Sequence, residues 1–180
     1  MRGPRRALAL TCTLGVAACG GQAAPHTPSP VAQANAAHEY PSPRPPRETA
    51  SHAALDATTA IREFATAYIN WNARTVSADM RSLAARSVGQ ARAAMTLAAA
   101  QTAGDYELQR GGIANSGRVE AVAPLAGHAR DQYVVVTLEA TTATNTTAYQ
   151  GLRPAWHLAI ATVAEERAGR WVVSAWQPES

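Results

Sequence analysis

The chain has 180 residues, of which 47% are hydrophobic, so it has room for one domain with one core and for appended segments. All 16 basic residues are arginine, which excludes chemistry that needs a lysine amine. The formal charge is +3, but Arg2, Arg5 and Arg6 precede the first apolar run and leave 13 arginines against 13 acids. Since the remainder is neutral, we expect no nucleic-acid partner.

Residues 1–18 have the order of a bacterial signal peptide. The three arginines form a positive start, and Ala7 to Ala18 form an apolar run of 12 residues. A permanent transmembrane helix needs about 20 apolar residues, whereas a signal-peptide core is shorter. We therefore expect this segment to be removed and the rest of the chain to be exported.

The end of the apolar run, Val16-Ala17-Ala18-Cys19, resembles a bacterial lipobox. The resemblance implies that Val16, Ala17 and Ala18 are read by the lipoprotein signal peptidase and that the Cys19 thiol receives a diacylglycerol. Cys12 would be discarded with the leader. With its acyl chains, such as palmitate, the protein would be anchored on the extracytoplasmic face of the cell membrane. The alternative is ordinary secretion, with Cys19 incidental to the cleavage site.

Residues 19–50 are rich in proline and alanine and keep neither a helical nor a strand period. Proline at this density favours an extended, disordered spacer. We expect a lipid-anchored linker over 19–50 and one folded domain over 51–180.

The folded part begins with a helical pattern. The first predicted helix places one apolar face at helical spacing, and the residues of that face are Ile61, Phe64, Ala65, Tyr68 and Trp71. Ser77 is placed to cap a second helix, with Asp79 in its first turn. Ser87 and Gln90 have the spacing of a capping box that opens a third helix. We expect no helix after Gly104.

After Asp105 the apolar period changes to two, which predicts strands. They are expected at about 106–110, 113–122, 132–142, 155–164 and 170–176. The short loops between them predict antiparallel pairing. The fold class is therefore α+β, with the N-terminal helices packed in the concave face of a curved antiparallel sheet of four to five strands. Six aromatic residues are candidates to fill the mouth of this sheet: Tyr68, Trp71, Tyr149, Trp156, Trp171 and Trp176.

Two segments carry a family resemblance. Arg62–Trp71 and Trp171–Trp176 resemble the first helix and the closing strand of the cone-shaped fold of the nuclear transport factor two superfamily. They are similar in particular to bacterial, chiefly actinobacterial, envelope lipoproteins and to periplasmic assembly components of conjugation and type IV secretion systems. The resemblance implies the fold more than the activity, because this superfamily hosts enzymes, binders and assembly subunits alike.

Enzymes of this superfamily place an acid, a histidine or a tyrosine inside the cone, so Tyr68, Asp79, Glu139 and His157 are the candidates here. Asp79 is explained as a helix-start acid, Glu139 as a solvated residue and His157 as a structural histidine. We therefore assign no catalytic residue, metal site or cofactor. The candidate pocket residues are Tyr68, Trp71, His157 and Trp176.

Three functions remain. The first is a non-catalytic accessory or assembly subunit that contacts an envelope protein partner, within conjugation or secretion. The second is a binder of a lipid or small apolar molecule in the cone. The third is an enzyme of the isomerase or cyclase type. The sequence favours the first of these functions.

Overall fold

The structure, a computed structural model, describes residues 46–127, 129–147, 152–167 and 169–179. These residues form an α+β domain in which helices come first and an antiparallel sheet follows. The described helices are α1 (Ala57–Ile69), α2 (Val76–Ala85), α3 (Gly89–Thr102) and α4 (Tyr106–Gly111). The described strands are β1 (Trp71–Asn72), β2 (Ile113–Pro124), β3 (Gln132–Ala143), β4 (Ala155–Glu165) and β5 (Trp171–Glu179).

Helix α1 begins at a side-chain cap. The Asp56 carboxylate accepts hydrogen bonds from the Thr59 hydroxyl at 2.7 Å and from the Thr59 amide at 2.8 Å. Both bonds lower the pKa of Asp56, and the bond from the Thr59 hydroxyl has the larger effect. The face predicted to be apolar is buried at Ile61, Phe64 and Ala65, which confirms the helical period there. The placement of Trp71 on this helix is wrong, because the helix ends at Ile69 and Trp71 begins β1.

The next two helices form where the sequence predicts them, but their predicted caps are wrong. Ser77 lies inside α2, where its hydroxyl donates to the Ala99 carbonyl oxygen at 2.9 Å and so joins α2 to α3. Ser87 is fully buried, and its hydroxyl donates back to the Leu83 carbonyl oxygen. The Gln90 side chain accepts from the Trp176 amide at 2.9 Å. Tertiary partners therefore replace the local capping bonds.

The strand predicted at 106–110 is wrong, because this segment is helix α4. Asp105 caps it by accepting a hydrogen bond from the Leu108 amide at 3.0 Å. Gly112 ends it in the left-handed conformation, with φ at +59°. Five residues with alternating polarity are compatible with a strand or a short helix. Here the residues at the two ends, Asp105 and Gly112, favour the helix.

The five strands form one sheet in the order β1-β2-β3-β4-β5, with every neighbouring pair antiparallel. The predicted strands at 113–122, 132–142, 155–164 and 170–176 are present with slightly longer bounds. The register shifts once between β2 and β3 and once between β4 and β5. Such bulges increase the local twist, and the sheet is curled into a half-barrel.

One face of the sheet packs against the helices, and we call it the inner face. Its buried residues Val135, Ala161 and Val173 join Phe64 of α1 and Leu83 of α2 in a single core. Side chains point alternately to the two faces of a strand, so the neighbours of these residues lie on the opposite, outer face.

The aromatic residues expected at the sheet mouth divide between the two faces. Trp176 is only 4% exposed and lies in the core, and Tyr68, Trp71 and Trp171 are half-buried against it. The prediction is wrong for Trp156, which is 64% exposed. It neighbours residues of the inner face along β4, so it lies on the outer face. Tyr149 lies outside the described residues.

The segment before α1 lies along the edge of the sheet. Ala54 pairs with Trp171 of β5, its amide donating to the Trp171 carbonyl oxygen at 2.9 Å. Arg92 donates to the Thr49 carbonyl oxygen at 2.6 Å.

The predicted leader 1–18, the lipidation site Cys19 and most of the predicted linker lie outside the described residues. No helix within the described ranges has the length and apolar character of a membrane span.

Candidate functional site

A cavity of about 350 Å³ opens between the inner face of the sheet and the helices; we call it the sheet cavity. Val76 and Met80 of α2 and Ala98 of α3 give it apolar walls. Thr102 of α3 also lines it, and its other polar and aromatic lining residues are Tyr68, Trp71, Asn115, Thr141, Glu139 and His157. The cavity thus has apolar walls and a polar base on the sheet.

The polar base is built on a buried asparagine. The Asn115 amide nitrogen donates to the Ile69 carbonyl oxygen at 2.8 Å and to Glu139 Oε2 at 2.7 Å. The Asn115 side-chain oxygen accepts from the Thr141 hydroxyl at 3.2 Å. The Thr137 hydroxyl donates to Glu139 Oε1 at 2.6 Å. Each carboxylate oxygen of Glu139 is therefore held by one neutral donor.

The strand register explains why these side chains meet. Thr141 pairs with Asn115 across β2 and β3, and Glu139 is the next inner-face position on β3. The residues directly opposite Glu139 are Gly117 on β2 and Ala155 on β4. Asn115, Glu139 and Thr141 therefore share the inner face and line the same cavity.

Asn70 fixes the end of α1 to the sheet beside the cavity. Its side-chain oxygen accepts from the Gly117 amide at 3.0 Å, and its side-chain nitrogen donates to the Gly117 carbonyl oxygen at 3.1 Å. The chain then continues into β1, where Trp71 pairs with Asn115. These contacts set the position of Tyr68 and Trp71 relative to the polar base.

Tyr68 packs against the core on one side and lines the cavity on the other. Its ring centroid lies 5.3 Å from that of Trp176 and 6.4 Å from that of Phe64. Burial raises the pKa of Tyr68; the nearby negative charge of Glu139 adds to this rise, while the Trp176 indole opposes it. The phenol therefore stays neutral and can donate a hydrogen bond.

Trp176 is the one candidate pocket residue that the structure places behind the cavity. The buried Trp176 Nε1 makes no hydrogen bond of good geometry within the described residues, but the indole lies against Tyr68 closely enough to lower the pKa of its phenol. Burying an unpaired indole N–H costs free energy, which packing against Phe64 and Tyr68 offsets. We interpret Trp176 as support for the cavity wall.

The remaining candidates differ in placement. His157 is exposed and lines the cavity from β4, directly opposite Thr137. Glu139 is half-buried and doubly hydrogen-bonded, so the prediction that it is solvated is wrong. Asp79 lies in the first turn of α2, outside the cavity lining. Three of the four sequence candidates therefore meet at one site.

Sequence reasoning missed the residues that organise this site: Asn115, Thr137, Thr141 and Asn70. An asparagine in a segment with strand alternation was the available signal, because asparagine is depleted in strands. A buried asparagine needs partners for its two donors and its oxygen. Asn115 therefore indicates a polar group on the neighbouring strand, which proves to be Glu139.

The described residues hold no cluster of three or more His, Cys, Asp or Glu side chains arranged to bind a metal ion. Comparison with known proteins gives no match to a family model, to a curated protein or to a solved structure.

Proposed function

We propose that the chain is an envelope lipoprotein whose α+β domain binds a small molecule in the sheet cavity. The observation that carries this proposal is the cavity of about 350 Å³, with apolar walls and a hydrogen-bonded carboxylate at its base. Ligand sites in proteins are typically concave, about 300–1,000 Å³, mostly apolar and marked by a few convergent polar groups. Of the lipid or small apolar molecule expected from the sequence, the polar base favours a ligand with one polar end.

The hydrogen bonds of Glu139 favour a binding role over a catalytic one. Both of its oxygens accept hydrogen bonds from neutral donors, so the carboxylate is a fixed acceptor. We interpret Glu139 as a residue that orients a ligand.

A fragment screen with a cavity-filling variant tests the binding function. We expect a subset of small fragments to bind the full-length protein in ligand-observed NMR. Ala98→Trp places an indole in the cavity and should abolish this binding. Ala100→Trp, on the exposed side of the same helix, is the matched control and should retain it. Absence of any binding fragment, or equal binding to both variants, would contradict the proposal.

The lipid anchor at Cys19 is the second part of the proposal. It is supported by the order of the leader, with arginines, a short apolar run and then Val16-Ala17-Ala18-Cys19. Mass spectrometry of the mature N-terminus should find an acylated Cys19, and Cys19→Ser should release the protein from membranes. An unmodified Cys19, or a mature chain that begins elsewhere, would contradict lipidation.

A second candidate function is contact with an envelope protein through the outer face of the sheet. Trp156 is 64% exposed and Leu158 is 48% exposed on β4, and their cross-strand partners on β3 are Leu138 and Val136. An apolar patch of this kind is typical of an interaction site. The resemblance to assembly components of conjugation and type IV secretion systems gives the class of partner.

Native electrophoresis of gently solubilised membranes tests this second function. The wild-type protein should migrate in a complex much larger than the monomer. Trp156→Ser/Leu158→Ser should migrate as a free chain, while Leu97→Ser, an exposed apolar residue on α3, should behave like the wild type. Identical migration of all three proteins would refute a role for the outer face.

A further inference from the structure

We propose that the polar end of the ligand is an organic ammonium group that Glu139 holds at the base of the sheet cavity. This inference rests on the proposed binding function and adds the chemical class of the ligand. It follows from the charge balance of the cavity, the unused acceptor positions of Glu139 and the aromatic residues beside it.

The first step is the charge balance. Within the described part of the chain, the donors to Glu139 are the Asn115 amide and the Thr137 hydroxyl, and both are neutral. The described lining of the cavity contains no arginine, and the chain has no lysine. The ion pairs of the described residues involve Glu63 and Glu120 instead. Arg118 borders a neighbouring cavity together with Glu139, but it is paired with Glu120. Among the described residues, Glu139 is therefore a half-buried carboxylate with no cation at ion-pair distance, and a bound cation would supply one.

The second step is hydrogen-bonding capacity. An ionised carboxylate offers about four acceptor positions, and the two neutral donors use one on each oxygen of Glu139. Roughly two positions therefore remain for a ligand. Glu139 lines the sheet cavity, so a ligand in the cavity can reach these positions. A charged N–H donor would make the strongest hydrogen bond there.

The third step is the surroundings of the carboxylate. Tyr68 and Trp71 line the same cavity, and aromatic rings attract cations through their negative faces. The charge of Glu139 reaches this wall, because it contributes to the raised pKa of Tyr68 after the larger effect of burial. The same charge would repel a carboxylate or phosphate ligand. His157 also lines the cavity.

Two pairs of shape-matched probes test the inference on the full-length protein in a non-ionic detergent. Choline is compared with dimethylbutanol, its uncharged carbon analogue, and benzylammonium with benzyl alcohol. Titration calorimetry should give roughly tenfold tighter binding for the charged member of at least one pair. Preference for benzylammonium alone would indicate a primary amine, and preference for choline a quaternary one.

A variant that removes the charge of Glu139 tests whether this residue causes the preference for the charged probe. Glu139→Gln should reduce the preference for the charged probe to less than about twofold, since a neutral amide attracts a cation weakly. Glu179→Gln, which removes an exposed carboxylate at the end of β5, is the matched control and should keep the preference. If E139Q fails to fold, the difference in affinity of the wild-type protein for each charged probe and its uncharged partner still decides whether the cavity prefers a cation.

The outcomes separate this inference from the proposed function. Both cations could bind no more tightly than their uncharged partners while Ala98→Trp still abolishes the binding of neutral fragments. That result would overturn the ammonium assignment and leave the binding function intact. Failure of the fragments as well as the probes to bind would overturn both. A cation preference that E139Q retains would overturn the role of Glu139.

Discussion

Replacing Asn115 by alanine tests whether the polar base of the cavity is formed as described. Asn115 is only 8% exposed, and its side chain makes three hydrogen bonds, to the Ile69 carbonyl, Glu139 and Thr141. N115A removes all three and leaves the carboxylate with Thr137 as its remaining described donor. The edge strand β1 also pairs with this position.

The size of the effect follows from these bonds. A neutral hydrogen bond contributes about 1 kcal/mol and one to a charged group about 1.5–3 kcal/mol. The bonds to Ile69 and Glu139 together therefore predict a loss of about 3 kcal/mol for N115A. The Thr141 bond adds less, because at 3.2 Å it is longer and its hydroxyl can rotate to another partner. Such a loss is a large part of the roughly 5–15 kcal/mol that stabilises a typical domain.

Urea unfolding followed by tryptophan fluorescence measures this loss. Thr141→Val is the matched control, because it removes one bond of the same network and should cost less than about 1 kcal/mol. A double-mutant cycle between Asn115→Ala and Glu139→Gln should give a coupling of about 1 kcal/mol or more. A loss below about 1 kcal/mol for N115A, or no coupling, would refute the network that positions Glu139.

Three further predictions concern the residues around the cavity. Gly117→Ala would put a Cβ 2.6 Å from the Leu138 carbonyl oxygen and should destabilise the domain by about 1–3 kcal/mol in urea unfolding, whereas Gly104→Ala has open space and should be neutral or slightly stabilising. The pKa of Tyr68 in the folded state is above the ordinary 10.0, so its contribution to stability should be complete below that pH and be lost at higher pH. Between about pH 9 and 11, the free energy of unfolding should therefore fall less in Tyr68→Phe than in the wild type. An equal fall in both proteins would count against a buried phenol. Asn70→Ala removes both bonds to Gly117 and should lower stability by about 1–2 kcal/mol and weaken fragment binding; unchanged values would show that the end of α1 is held by other contacts.

The helices and strands were predictable where a single period extends over many residues. The face containing Ile61, Phe64 and Ala65 repeats over more than two turns, and the strand around Val135 is rich in β-branched residues. Helix α4 was missed because it has only six residues and its alternation also fits a strand. Its signals were Asp105 before it and Gly112 after it, which are weak without the tertiary context.

The candidate site was predictable only in part, because it depends on strand register. Tyr68 and His157 could be selected as residue types that often line pockets. The burial of Glu139 and its bond to Asn115 depend on which residues pair across β2 and β3. A register shift by one residue would move these side chains to the opposite face of the sheet. Trp156 shows the same limit, since its exposure follows from its alternation with His157.

A crystal structure of the full-length protein with its tightest-binding fragment tests the central claim most directly. The account predicts that the fragment occupies the sheet cavity, with its polar end at the Glu139 carboxylate and its apolar part against Met80 and Ala98. A fragment bound on the outer face beside Trp156 would contradict it, as would a fragment whose polar end lies away from Glu139.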